Sequence, residues 1–135
     1  DIREQAERMA VRVAKIYGGS PVLNVFDIQD DFRELPGIKI KDFGEQTTEE
    51  WARFVMNNRN HSFDNIEDIL CNQDNKYDIV IGPVADDNMA LLFRQYENEI
   101  IDFQTLLKGM VYKKTSSQYS FHTEKSIRLL RKVED

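Results

Sequence analysis

Apolar residues Ile2, Ala6, Met9, Ala10, Val13, Ile16 and Tyr17 recur at helical spacing, with Arg3, Glu4, Arg8, Arg12 and Lys15 on the other side. The pattern predicts an amphipathic helix with Asp1 as its N-cap. Glu4 and Arg8 stand one turn apart, a pairing worth about 0.3 kcal/mol. Gly18-Gly19 ends the helix, because glycine takes the left-handed cap geometry without a Cβ clash, and Ser20-Pro21 continues the stop. Val22 to Ile28 then reads as a strand rich in β-branched and aromatic residues. Asp30-Asp31 and Pro36-Gly37 bracket a loop, and alternation from Ile38 to Phe43 predicts a second, short strand. Thr47 with Glu50 forms a capping box ahead of Trp51, Phe54 and Val55, which predicts a helix ending between Asn57 and Asn60.

The stretch from Asn60 to Lys76 is polar, with a weakly helical patch at Ile66, Ile69 and Leu70. Connections of that length are often functional or mobile. Tyr77 to Gly82 is the clearest strand, and its continuous apolar centre implies burial on both faces. Beyond Pro83, Asp86 or Asp87 caps a helix carrying Met89, Leu92, Phe93, Tyr96 and Ile100. Asp102 caps a second one carrying Phe103, Leu106, Leu107 and Met110, and the two form a helical hairpin. Gln118 to His122 returns to strand character. Thr123 then caps a last helix, with Arg128, Arg131 and Lys132 near its end, where cations match the helix dipole. Strands and helices mix without regular alternation, so the expected class is α+β, as one domain over residues 1–135.

Composition narrows the function classes. The chain has 135 residues, with 24 acidic and 18 basic side chains and a net charge of −6. That balance argues against bulk attraction to nucleic acid or anionic lipid. No apolar run approaches the ~20 residues that span a bilayer, so no membrane association is expected. Cys71 has no partner for an internal disulfide, which points to a reducing, cytoplasmic compartment. The chain opens at Asp1 rather than at methionine, and further sequence is expected upstream.

Several common chemistries find no matching pattern. There is no Gly-rich phosphate loop and no Gly-x-Ser-x-Gly nucleophile motif. Cysteine–histidine zinc spacing is missing, with His61 and His122 far apart, so no metal is expected. Cys71 paired with a histidine is formally a nucleophile, but a lone cysteine is ordinarily a small hydrophobe. Asp86 and Asp87 read either as a metal or substrate pair or as helix caps. The run Asn57-Asn58-Arg59-Asn60 reads either as a cluster that holds a polar ligand or as a helix exit, where asparagine is favoured.

Two segments carry more information. Tyr77-Asp78-Ile79-Val80-Ile81-Gly82-Pro83-Val84-Ala85-Asp86-Asp87 resembles the signature of a bacterial family of uncharacterised domains related to the ADP-ribosyltransferase superfamily. Trp51 to Val55 with Asn58-Arg59 upstream, and Ser117 to Lys125 downstream, fit that family in order. The resemblance implies an ADP-ribosyltransferase-like mixed-sheet scaffold and NAD as co-substrate. It further implies an effector or toxin that modifies a cellular macromolecule, with scope for a neutralising protein partner. Members of the superfamily bind the NAD ribose and nicotinamide through two motifs that, in relatives of this kind, precede the helix opening here. The third motif begins a later strand, and Gln118 before Tyr119-Ser120-Phe121-His122 occupies its place.

Gln118 is therefore the candidate catalytic residue that the resemblance implies. Its amide oxygen can accept a hydrogen bond from the ribose 2′-hydroxyl. It brings no negative charge to the cation that develops as nicotinamide departs, where a carboxylate would. Asn57, Arg59, Asp86 and Asp87 stand as substrate-binding or structural candidates. The alternative to an enzyme is a binding module on the same fold, holding a nucleotide or protein and transferring nothing.

Overall fold

The computed structural model describes residues 2–110 and 116–133; Asp1 and the side chain of Asp87 lie outside the described part. The first elements are helix α1 (Arg3–Tyr17), strand β1 (Val25–Ile28), a 3-10 turn at Phe32–Glu34 and strand β2 (Ile40–Asp42). Helix α2 (Glu49–Arg59), strand β3 (Ile79–Pro83) and helices α3 (Asp87–Glu97) and α4 (Phe103–Met110) follow. Strand β4 (Ser117–Phe121), the short helix α5 (Glu124–Ile127) and strand β5 (Leu130–Val133) complete the order. The class is α+β, as the irregular mixture of patterns predicts.

β3 is the centre of a three-stranded mixed sheet, parallel to β2 and antiparallel to β4. Its near-continuous burial follows from that central place, since Ile79, Ile81, Gly82 and Pro83 are all buried. Alternation sends its side chains to two faces. Ile79 and Ile81 pack on one face with Phe32, against Ile28, Ile38 and Phe121. The other face lies under α2, where Trp51, Ala52 and Met56 join Met89, Phe93, Leu106 and Met110 in a second core cluster. The predicted hairpin of α3 and α4 exists: Tyr96 and Phe103 meet at 5.4 Å, and Gly109 lets Leu92 approach its backbone.

Several predicted boundaries move. Thr48, not Thr47, caps α2, its Oγ1 accepting the Trp51 N–H at 3.2 Å. Thr47 instead donates its hydroxyl to the Met110 carbonyl at 3.0 Å, and Glu50 pairs with Lys41 at 2.7 Å rather than closing a capping box. The expected strand from Val22 shortens to Val25–Ile28. The last helix stops at Ile127, and Arg131 and Lys132 lie on β5, antiparallel to β1 with Val25 opposite Val133. A partner strand from the other end of the chain overrides the local helical preference there. Asp86 and Asp102 act as caps as predicted, accepting from Met89 and Thr105 at 2.9 and 2.7 Å. The Glu4–Arg8 pair forms at 2.8 Å. α1 nevertheless has no buried residue.

Candidate functional site

The sheet face under α2 is not fully covered. A cleft of about 230 Å³ opens between that helix and strands β3 and β4. Its floor follows from strand register. Gln118 lies opposite Gly82 and Ser120 opposite Val80, so these four residues share one face. His122, two residues on, continues the same line of β4 side chains into the cleft. Tyr119 and Phe121 point to the opposite face, where Phe121 joins the Ile79 cluster.

The wall comes from α2, which presents Trp51, Phe54, Val55, Asn58 and Arg59. Helical spacing from Trp51 to Arg59 explains why one helix face supplies them. Phe43, just past β2, packs on Phe54 at 4.8 Å in a tilted arrangement. Trp51 stands 6.0 Å from Phe93. Gly82 makes the close approach possible, since a Cβ there would lie 3.1 Å from Trp51 Cδ1 and 3.4 Å from Phe43 Cβ.

Polar groups converge on this aromatic wall. Gln118 donates through Nε2 to Ser120 Oγ at 3.2 Å, which leaves its Oε1 as an acceptor. Arg59 stacks over the Phe93 ring at 5.7 Å. Partial burial lowers the pKa of His122 below the usual histidine value, so its ring is neutral at neutral pH. No aspartate or glutamate lines the cleft among the described residues.

The sequence candidates divide accordingly. Gln118 and Arg59 come together at one cleft. Asn57 does not join them, since its amide donates to the Leu70 carbonyl at 3.0 Å and holds the long loop after α2. Asp86 caps α3 and lies beside α1, near Arg8 and Arg12. Asp87 opens α3, and its side chain is outside the described part. Ser120 and His122 are not among the sequence candidates, although strand alternation, which places them on the face of Gln118, is the signal that could find them. Trp51 and Phe54 read in the sequence simply as a core face, and only the gap in the packing reveals them as a wall. Among the described residues no group of histidine, cysteine and carboxylates is arranged to hold a metal ion.

The family model for a protein of unknown function, DUF3990, matches residues 1–131. The chain belongs to this family. The match spans every described element except the last two residues of β5, so the cleft lies wholly within the DUF3990 domain. No curated protein and no solved structure matches the chain. Among the described residues of this DUF3990 member, no helix is long and apolar enough to cross a membrane.

Proposed function

We propose that the cleft is a nicotinamide-nucleotide site and that the protein is ADP-ribosyltransferase-like, using NAD to modify a macromolecule. The observation that supports this is the alternation of Gln118, Ser120 and His122 along β4, facing the aromatic wall of Trp51 and Phe54. A cleft walled by aromatic side chains suits a planar base. In this reading Gln118 accepts the ribose 2′-hydroxyl, with its amide nitrogen donating to Ser120 Oγ at 3.2 Å. An acceptor held in place before the reaction needs no reorganisation as charge develops on the ribose. The acceptor macromolecule and any neutralising protein belong to the same proposal, as does action as an effector.

A second reading has its own support. With no carboxylate on the cleft among the described residues, the developing oxocarbenium cation lacks an anionic neighbour. The same cleft then serves as a nucleotide-binding site that transfers nothing.

Incubating the intact protein with labelled NAD and a cell extract separates the two. Transfer to a macromolecule that falls about a hundredfold on Gln118→Ala supports the enzyme. Unchanged transfer in that variant sinks the role of Gln118. Calorimetric binding of NAD without transfer favours the binding module. Neither binding nor transfer overturns both readings.

A further inference from the structure

The cationic side chains around α2 are not equivalent. Arg53 is paired with Glu49 at 3.0 Å, and Lys41 with Glu50 at 2.7 Å. Arg59 makes no ion pair among the described residues, although it sits in a chain with 24 acidic groups against 18 basic ones. Instead the guanidinium is held over the Phe93 ring at 5.7 Å, which restrains its position without using its N–H groups. It lines the same cleft as Gln118, and among the described lining residues it is the one arginine or lysine.

Size sets a further limit. At about 230 Å³ the cleft falls below the ~300–1,000 Å³ of sites that enclose a whole drug-sized ligand. It therefore encloses part of a dinucleotide, on the scale of one nucleoside with a group at its edge. The free fork of Arg59 is suited to that group, since guanidinium donors match two phosphate oxygens at once.

We infer that Arg59 receives a phosphate of the bound ligand, so that the cleft takes nucleotides and rejects the corresponding nucleosides. This rests on the nicotinamide-nucleotide reading for the identity of the base, but not for the phosphate contact itself.

Calorimetry on the intact protein with two ligand pairs tests it: nicotinamide mononucleotide against nicotinamide riboside, and adenosine monophosphate against adenosine. Each pair is run on the natural protein and on Arg59→Gln and Arg59→Lys, whose thermal midpoints confirm folding. The expected result is at least about tenfold tighter binding of the phosphorylated nicotinamide ligand. That preference collapses in Arg59→Gln and survives in part in Arg59→Lys. Nicotinamide ligands bound without a phosphate preference, or with one that survives Arg59→Gln, overturn the inference and leave the nicotinamide reading standing. An Arg59-dependent preference confined to the adenine pair supports the phosphate contact and overturns the nicotinamide reading. No binding of any of the four overturns both.

Discussion

Gly82 shows how one residue sets the distance between α2 and the sheet. It lies on the floor of the sheet with the Trp51 ring against its backbone. An added methyl would meet Cδ1 at 3.1 Å and Nε1 at 3.3 Å, closer than ordinary van der Waals contact. Trp51 is buried against Phe93 and has little room to retreat. Gly82→Ala should therefore cost about 1–3 kcal/mol, in the range of overpacked cores. The check is a urea midpoint that falls at constant slope, together with a shifted emission from Trp51, the chain's one tryptophan. A midpoint and spectrum like those of the natural protein would show that the ring yields freely. The sequence marks Gly82 as the end of a strand, but its steric role appears only once α2 is laid across β3.

At the scale of elements, the connection from α2 to β3 changes meaning. Its composition reads as a long polar loop, and nothing local predicts what holds it. The structure fastens it with amide side chains. Asn58 Oδ1 accepts the Asn72 N–H at 2.8 Å, and Asn72 in turn exchanges hydrogen bonds with the Tyr77 backbone at 2.8 and 3.2 Å. Gln73 reaches back to the carbonyls of Asn57 and Asn60 at 2.8 and 3.0 Å. The asparagine-rich helix exit is thus largely a clasp, while Asn58 and Arg59 also line the cleft. Asn58→Ala leaves a backbone N–H on the buried Asn72 without its acceptor, at about 1–3 kcal/mol. Limited proteolysis should then cut between residues 60 and 76 faster than in the natural chain. Equal cutting rates would mean that the other clasps suffice.

The same scale explains which elements were legible. α3 and α4 were readable because Asp86 and Asp102 cap them locally. The shortened α5 and the strand β5 were not, because a partner about a hundred residues away decides them. The site divides in the same way. Gln118, Ser120 and His122 follow from alternation within one strand. Their meeting with Arg59 depends on packing between α2 and the sheet.

Across the whole molecule, Asp78 is the joint between separate segments. It is buried, and its Oδ2 accepts the Lys39 N–H at 2.8 Å while Oδ1 accepts the Thr123 hydroxyl at 2.7 Å. Lys125 Nζ stands 3.4 Å away. Burial alone would raise its pKa. The hydrogen bonds from Lys39 and Thr123 and the charge of Lys125 outweigh that and hold the pKa below the usual carboxylate value. A folded pKa below the unfolded one means that the stabilisation is complete above about pH 4. It is lost as pH falls through the lower, folded value. Denaturant titrations from neutral to strongly acidic pH should therefore show a stability loss that Asp78→Asn reduces. An identical pH slope in the variant would assign the acid sensitivity to other carboxylates.

The two-stranded ladder of β1 and β5 also bears on how the chain comes to be folded. Val25 waits for Val133, and Ile28 for Leu130, so this sheet cannot form until the roughly hundred residues between its strands have been made. Closing so long a loop is entropically costly and slow relative to the local helices and turns. During synthesis β1 emerges well ahead of β5, with Phe26 and Ile28 beside an unpaired backbone edge. An exposed strand edge of that kind is a template for pairing with another chain. β5, made about a hundred residues after β1, is thus the strand that removes that hazard.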